Sequence, residues 1–307
     1  MSEHDRPKII IITGPTATGK SSLAVDLAMD FGGEIVNCDS MQVYIGMDIG
    51  TAKSSMSERR GIPHHMIDVI DPSEEFNASL YRQMTEPVLK DITKREKLCF
   101  LVGGTGLYIK TLLGGLIDCP PVSQEIRDKL KAECEEYGAP YLHEQLKTLD
   151  PEYAKKIHPN DKTRTIRALE IIRLTNKPLS PIISRHSFSE KLFNPLKICL
   201  FREKEELYKR INERSLKMLR SGLIEETRNL LESGYSADLK PMKSIGYRHA
   251  IEYLQKKRNY EETLNLLQRD TRRYSKRQIT WFRSDPEMFW VIPEETDKIK
   301  QKIEEFI

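Results

Sequence analysis

The sequence predicts an α/β fold, in which a parallel sheet is flanked by helices and interrupted by a helical insertion. Residues 8–12, 34–38 and 98–102 are short apolar runs, which are typical of buried strands. Residues 21–31 and 80–94 carry helical patterns between those runs. Strands that alternate with helices in this way favour a parallel sheet with helices on both faces.

A change of pattern near residue 119 indicates the insertion. Residues 119–195 continue as helices after Pro120 and Pro121 and end in a proline-broken stretch from residue 177. A strand pattern returns at residues 196–201, so we expect residues 119–195 to form a helical domain inserted between two strands of one sheet. The core domain then comprises residues 1–118 and 196–307. Its remaining helices are predicted at residues 205–219, 224–232, 261–282 and 294–307.

The composition indicates an ordinary globular protein of 307 residues, of which 38% are hydrophobic and 31% charged. No apolar run approaches the ~20 residues of a membrane-spanning helix, and the first residues, MSEHDRPK, lack the apolar segment of a signal peptide. The five cysteines are scattered without a C-x-x-C pair, which argues against a disulfide framework or a zinc site. We therefore expect a reduced, cytoplasmic protein. Its net charge of +3 is too small to indicate nucleic-acid binding by itself.

A phosphate-binding loop follows the first predicted strand. The segment GPTATGKS, residues 14–21, matches G-x-x-x-x-G-K-[ST], in which backbone N–H groups and a helix N-terminus hold phosphates. We expect the amides of residues 16–21 to point at an anion, with Lys20 adding positive charge and Ser21 binding Mg²⁺. The pattern predicts a P-loop NTPase-like core. The phosphate site comprises Gly14, Pro15, Thr16, Ala17, Thr18, Gly19, Lys20 and Ser21.

Two further strand ends are polar or rich in glycine, and ligands gather at such ends of a parallel sheet. Asp39 ends the second strand, where it can bind magnesium, accept a proton or cap a turn. Gln42 follows it and is suited to reading a base edge. The third strand ends in GGTG, which presents the hydroxyl of Thr105 between glycines that permit close approach of a ligand. That turn lacks an acidic residue, unlike the magnesium-holding strand of nucleotide hydrolases.

Basic side chains cluster in two segments. In residues 268–283 one helical face carries Tyr274, Gln278 and Trp281. Another face carries four of the basic side chains, those of Arg269, Arg273, Lys276 and Arg277. The segment KTRTIR, residues 162–167, lies within the predicted insertion. The first segment is either a solvated basic face or a contact for an anion or RNA. The second is either a contact for RNA phosphates or the arginine lid of a kinase. The histidines lack the spacing of a metal site.

Six motifs in register resemble the tRNA dimethylallyltransferase family, in its compact bacterial form without a C-terminal zinc finger. They are GPTATGKS, DSMQVYIGMDIGTAK, GGTGLYIK, HPNDKTRTIRALE, MKSIGYRHA and YSKRQITWFR, which together span nearly the whole chain. The resemblance implies transfer of a dimethylallyl group from dimethylallyl diphosphate to N6 of adenosine 37, beside the anticodon of tRNA. It also implies a magnesium ion, and an insertion domain that grips the anticodon stem-loop. We expect a monomer with no membrane partner.

The resemblance also implies roles for individual residues. Asp39 matches the catalytic base, and Lys20, Arg214 and Ser21 through magnesium would stabilise the departing diphosphate. Thr105 matches a residue near the reacting groups. The residues that match tRNA-contacting segments are Asp39, Ser40, Met41, Gln42, Thr105, Arg127, Thr163, Arg164, Thr165, Ile166 and Arg167.

Three alternatives stay open at this stage. A P-loop kinase with Arg164 and Arg167 in a lid would turn over ATP. An adenylate isopentenyltransferase would use free AMP or ADP as acceptor, although the long insertion and the basic C-terminal helix favour tRNA. A non-catalytic RNA-binding protein would have no use for Lys20, Ser21 and Asp39 together.

Overall fold

The computed structural model describes residues 6–116, 119–186 and 190–307, so residues 1–5 and the predicted boundary residue Asp118 lie outside it. Within these ranges a parallel sheet of six strands has the order β3-β2-β4-β1-β5-β6. The strands are β1 (Lys8–Thr13), β2 (Glu34–Asn37), β3 (His64–His65), β4 (Cys99–Val102), β5 (Asn194–Leu200) and β6 (Phe289–Val291). The helices of the first half are α1 (Lys20–Asp30), α2 (Met56–Arg59), α3 (Ala78–Lys94), α4 (Gly106–Gly114), α5 (Gln124–Tyr137) and α6 (Ala139–Leu149). Those of the second half are α7 (Pro151–Ala154), α8 (Lys162–Thr175), α9 (Leu179–His186), α10 (Lys204–Arg220), α11 (Leu223–Glu232), α12 (Tyr247–Leu254), α13 (Tyr260–Arg283) and α14 (Thr296–Glu304).

The central strand β1 contributes to two cores, one on each face of the sheet. Ile10 and Ile12 pack with α1, whereas Ile9 and Ile11 pack with α3 and further helices on the opposite face. These four isoleucines are fully buried. Burial of each contributes about 1.5–3 kcal/mol relative to exposure. A strand that is buried on both faces confirms the predicted parallel sheet flanked by helices.

Two predictions of secondary structure were wrong in detail. The proline-broken stretch contains helix α9, in whose first turn Pro181 lies. A proline is tolerated near the start of a helix because the first amide groups have no partner within the helix. The region predicted to be entirely helical after residue 201 contains β6, which pairs with β5 through Ile198 and Phe289. Three residues are too few to produce a recognisable strand pattern.

The chain divides into two compact units, Met1–Leu113 with Lys191–Ile307, and Gly114–Glu190. We call them the core unit and the inserted unit. The inserted unit has its own apolar centre, built from α5, α6 and α8 around residues such as Leu130, Leu146 and Leu169. The sequence predicts that the core domain is catalytic and that the inserted domain contacts tRNA, and both roles stay predictions. Among the described residues, no helix is both long and apolar enough to cross a membrane.

The order of the strands brings three loops together at one edge of the sheet. Strands β2, β4 and β1 are consecutive neighbours, so the loops that follow them are adjacent. The Thr13 hydroxyl donates a hydrogen bond of 2.8 Å to the carbonyl of Gly103, and the Cys38 amide donates one of 2.7 Å to the carbonyl of Val102. The phosphate loop therefore surrounds one site together with two further segments. These are residues 39–42, which we call the Asp39 segment, and residues 103–106, which we call the glycine turn.

Candidate active site

The phosphate loop is held in its conformation by the protein itself. Gly14 has a φ of +131°, and a Cβ atom there would lie 2.3 Å from the Leu200 carbonyl oxygen. Glycine is required at this position by both its backbone conformation and its neighbour. The Thr18 hydroxyl closes the loop by donating a hydrogen bond of 2.9 Å to the carbonyl of Pro15. The loop ends where α1 begins at Lys20, so the positive end of the helix dipole faces the site.

One amide of the loop differs from the prediction. The Thr16 amide donates a hydrogen bond of 2.9 Å to Oε1 of Gln278, a residue of α13. We expected this amide to point at an anion, but a partner within the protein already occupies it. Phosphate binding is therefore predicted for the later residues of the loop and the N-terminus of α1 instead.

The side chains that line a cavity of about 1140 Å³ include the cations Lys20 and Arg214 and the carboxylate of Asp39. Burial and the neighbouring Arg214 lower the pKa of Lys20 to about 8, although Asp39 opposes this shift. Burial also lowers the pKa of Arg214, again against the attraction of Asp39. Positive charge that is partly desolvated interacts strongly with an incoming anion. The cavity is therefore suited to a phosphate-bearing ligand.

Asp39 both shapes a turn and lines the cavity. Its Oδ1 accepts a hydrogen bond of 2.8 Å from the amide of Met41, as in a turn stabilised by aspartate. The next amide, of Ser40, donates a hydrogen bond of 3.0 Å to the hydroxyl of Thr105. Thr105 thus holds the Asp39 segment in place from the turn that follows the neighbouring strand β4.

The glycine turn is shaped by contacts within the protein. A Cβ atom at Gly103 would lie 2.1 Å from the carbonyl oxygen of Cys38, and one at Gly104 would lie 2.2 Å from Nε2 of Gln278. We expected these glycines to admit a ligand, but their small size is required by the backbone and the side chain that pack against them.

The residues after Asp39 are only partly available to a substrate. Gln42 lines the cavity, but its Nε2 donates hydrogen bonds to the carbonyls of Thr51 (3.2 Å) and Ala52 (3.4 Å). The expected reading of a base edge by this amide nitrogen conflicts with those bonds. Ser40 and Met41 are both partly buried, and Met41 packs against the core.

The basic residues of the inserted unit are not equivalent. Glu170 is fully buried and forms ion pairs with Arg127 (2.9 Å) and Arg167 (3.0 Å). Burial alone would raise the pKa of Glu170, but the bonds from Arg167 and Arg127 lower it. The side chain of Arg164 is 65% exposed and forms an ion pair with the nearby Asp161. Of the three arginines Arg127, Arg164 and Arg167, Arg164 alone presents most of its side chain to solvent.

The other predicted RNA contacts in this segment differ in exposure. Thr163 is exposed at the start of α8. Thr165 and Ile166 are buried, and Ile166 belongs to the apolar centre of the inserted unit. In this structure neither of these two side chains is on a surface where RNA can contact it.

Several residues at the site were not assigned to it from the sequence. Gln278 and Tyr274 on α13 line the cavity, and the shared helical face predicted for them was the available signal. Arg210 on α10 donates a hydrogen bond of 2.9 Å from Nε to the carbonyl of Ala17 in the phosphate loop. Glu226 on α11 accepts hydrogen bonds of 2.8–3.1 Å from three consecutive amides of a loop that borders the cavity, those of Asp48, Ile49 and Gly50. No local pattern marks Arg210 or Glu226.

Comparison with known proteins agrees with this geometry. The model of the IPP transferase family matches residues 42–285, and that of the isopentenyl transferase family matches residues 7–70. A tRNA dimethylallyltransferase of Desulfatibacillum aliphaticivorans is 47% identical and covers 98% of this chain and 99% of the relative. One of Geobacter sulfurreducens is 48% identical and covers 93% of this chain and 92% of the relative.

Solved structures give the same result. The tRNA isopentenylpyrophosphate transferase of Bacillus halodurans has a TM-score of 0.71 at 39% identity, and the match covers 98% of each chain. A eukaryotic dimethylallyltransferase acting on tRNA has a TM-score of 0.76 at 32% identity, and the match covers 90% of this chain and 69% of the other. With a P-loop-like core, a phosphate loop beside Asp39 and relatives that match over nearly its full length, the chain belongs to the tRNA dimethylallyltransferase family of prenyltransferases.

Proposed function

We propose that this protein transfers the dimethylallyl group of dimethylallyl diphosphate to N6 of adenosine 37, next to the anticodon of tRNA. The products are N6-(dimethylallyl)adenosine and diphosphate. The observation that carries the proposal is that Asp39 lines the same cavity as Lys20 and Arg214. A reaction that removes a proton from one substrate and leaves negative charge on another needs both kinds of group at one site.

The acceptor, the N6 amine of adenosine 37, requires a general base to remove its proton. The lone pair of the exocyclic N6 amine is delocalised into the adenine ring, so the amine is a weak nucleophile. As N6 attacks C1 of the donor, a bond forms between N6 and C1, and the bond between C1 and the diphosphate oxygen breaks. Asp39 accepts the proton that N6 loses, and the bonding electrons leave with the diphosphate.

The departing diphosphate needs positive charge. Lys20, Arg214, the later amides of the phosphate loop and the N-terminus of α1 supply it within the core unit. These groups stabilise the transition state more than the ground state, because the charge on the leaving oxygen grows as the bond to C1 breaks.

The side chains present fit a magnesium ion that is held mainly by its substrate. The exposed Ser21 lines the cavity at the start of α1, and the described residues hold no group of three or more His, Cys, Asp or Glu side chains arranged for a metal. Mg²⁺ typically takes few protein ligands and completes its shell with phosphate oxygens and water. When bound through Ser21, it would neutralise charge on the diphosphate.

The tRNA is proposed to contact both units. The anticodon stem-loop would lie against the Asp39 segment, Thr105 and the exposed basic residues of the inserted unit, of which Arg164 is the most accessible of the arginines proposed there. Phosphate contacts of this kind position RNA, whereas the target base is selected inside the site. Adenosine 37 would have to leave its stack to reach the cavity, as base-modifying enzymes require.

The most direct test is mass spectrometry of unmodified bulk tRNA after incubation with isotope-labelled dimethylallyl diphosphate, magnesium and the protein. We expect the label at adenosine 37. Label on free AMP or ADP in preference to tRNA would favour an adenylate isopentenyltransferase, and rapid phosphate release from ATP without tRNA would favour a kinase or ATPase. Either result would overturn the proposal.

A further inference from the structure

Gln278 connects two loops of the site through its side-chain amide. It lies on α13 and is only 6% exposed. Its Oε1 accepts a hydrogen bond of 2.9 Å from the amide of Thr16 in the phosphate loop. Its Nε2 donates a hydrogen bond of 3.0 Å to the carbonyl of Gly104 in the glycine turn. One side chain therefore joins a helix to the loops that follow two neighbouring strands.

The amide is fixed in orientation as well as in position. One of its partners is an N–H donor and the other a carbonyl acceptor, so reversing the amide would break both hydrogen bonds. The space around it is also tight, because a Cβ atom at Gly104 would lie 2.2 Å from Nε2 of Gln278. Glycine at position 104 and glutamine at position 278 are therefore matched to each other.

The two loops carry opposite halves of the proposed chemistry. The phosphate loop ends at Lys20, which would stabilise the departing diphosphate. The glycine turn leads to Thr105, whose hydroxyl accepts a hydrogen bond from Ser40 beside Asp39. Hydrogen bonds thus link Thr16 through Gln278 to Gly104, and the adjacent residue Thr105 continues the connection to Ser40 beside the base.

We propose that Gln278 is a positioning residue for the transfer reaction, an inference that rests on the proposed function. It sets the separation between the diphosphate site and the Asp39 segment, and therefore the distance over which N6 must attack C1. Reacting groups must lie about 3–3.5 Å apart in line, and a displacement of about 1 Å can slow a reaction by about 100-fold. The residue acts through the two loops, without contact with the reacting atoms.

Three variants separate this role from a general loss of folding. Gln278→Ala removes both hydrogen bonds and leaves the Thr16 amide and the Gly104 carbonyl without this partner. Gln278→Glu keeps an acceptor for Thr16 but places a carboxylate oxygen against the Gly104 carbonyl oxygen. Gln268→Ala is the matched control, because Gln268 is a partly buried glutamine of the same helix that donates to the carbonyl of Asn212, away from both loops.

The experiment measures the single-turnover rate per titrated active site with saturating donor and tRNA, the affinity for an unreactive thio analogue of the donor, and deuterium exchange at the Thr16 amide. We expect Gln278→Ala to slow the chemical step by about 10- to 100-fold. Its dissociation constants for the analogue and for tRNA should change much less. Exchange at Thr16 should accelerate in Gln278→Ala but remain slow in Gln278→Glu and Gln268→Ala.

Each outcome is decisive. A rate per active site that stays near the native one in both Gln278 variants would overturn the proposal, as would an equal loss of rate in Gln268→Ala. Unchanged exchange at Thr16 in Gln278→Ala would show that the bridge does not hold the loop. If Gln278→Ala does not fold, the rate in Gln278→Glu decides. A native protein that transfers no prenyl group would instead contradict the proposed function, while the exchange comparison would still test the bridge.

Discussion

Lys20 lines the same cavity as Arg214 and Asp39. Its surroundings bring the pKa of its ammonium group close to neutral pH. Burial and the nearby Arg214 lower the pKa of Lys20 to about 8. The ammonium group is therefore charged below this pH and becomes neutral as the pH rises above it. An incoming diphosphate favours the charged form, so its binding should take up a proton at alkaline pH.

We predict that affinity for the unreactive donor analogue falls as the pH rises above about 8. The dissociation constant should increase by up to about tenfold for each pH unit between the pKa of free and bound Lys20. Isothermal titration calorimetry from pH 7 to 9.5 would measure this. Lys20→Met should bind more weakly at pH 7 and show a flatter profile, and identical profiles for the two proteins would assign the titration to another group.

Helices and strands were predicted where several residues repeat a pattern, and missed where an element is short or unusual. Four consecutive isoleucines mark β1, and a long amphipathic pattern marks α13. In contrast, β6 consists of three residues that become a strand only because they pair with β5. Helix α9 was hidden by Pro181, whose effect depends on its position within the helix. Such elements are determined by tertiary context, which a local pattern does not contain.

An ion-pair network joins β2 to the end of α3. Both oxygens of Glu34 accept hydrogen bonds from Arg95, and Nε2 of His65 on β3 donates a hydrogen bond of 2.7 Å to Glu34. The bonds from Arg95 are the largest cause of a lowered pKa of Glu34, about 2 compared with an ordinary value of 4.5. The Glu34 carboxylate therefore stabilises the fold above pH 4.5, and this stabilisation is lost as the pH falls towards 2.

We predict that Glu34→Gln lowers the free energy of unfolding at pH 7 by about 2 kcal/mol, after allowance for solvent screening of the half-exposed Arg95. The difference between native and variant should shrink as the pH falls from 5 to 3. Urea unfolding at these pH values measures it. Glu125→Gln, which removes an exposed ion pair with Lys129, serves as the control and should have little effect. A pH-independent difference for Glu34→Gln would exclude the ionised carboxylate as its cause.

Three arginines that the sequence predicts to contact tRNA have different environments in the folded molecule. Arg127 and Arg167 neutralise the buried Glu170, whereas Arg164 is largely exposed. Removal of one partner of a buried ion pair leaves charge without compensation. The three arginines should therefore respond differently to substitution.

We predict that Arg164→Ala weakens tRNA binding and lowers the slope of log affinity against log salt by roughly one, with an unchanged melting temperature. Arg167→Ala should instead lower stability by about 2 kcal/mol, since Arg127 still compensates part of the Glu170 charge. Filter binding between 50 and 200 mM salt, together with thermal unfolding, distinguishes these effects. An unaltered salt slope in Arg164→Ala would mean that this side chain does not contact RNA phosphates.

The parts of the site that could be predicted are local in sequence. The phosphate loop with Lys20 is a contiguous motif, and Asp39 follows a strand whose place in the sheet can be inferred. Gln278 lies 262 residues from its partner Thr16, and Arg210 reaches Ala17 from a separate helix. Their roles depend on how α13 and α10 pack against the sheet, so only the folded chain identifies them.

In the proposed reaction Asp39 is the base that accepts the N6 proton, and Asp39→Asn removes this base with little change in shape. Asparagine keeps an oxygen that can accept the bond from the Met41 amide, so the turn is preserved while the base is lost. The measurement is the single-turnover rate, with the affinity for the unreactive donor analogue, at several magnesium concentrations. We expect the chemical step to slow by about 10²–10⁴-fold, with affinities for the analogue and for tRNA close to the native values. A native rate, or a rate restored by high magnesium, would contradict it.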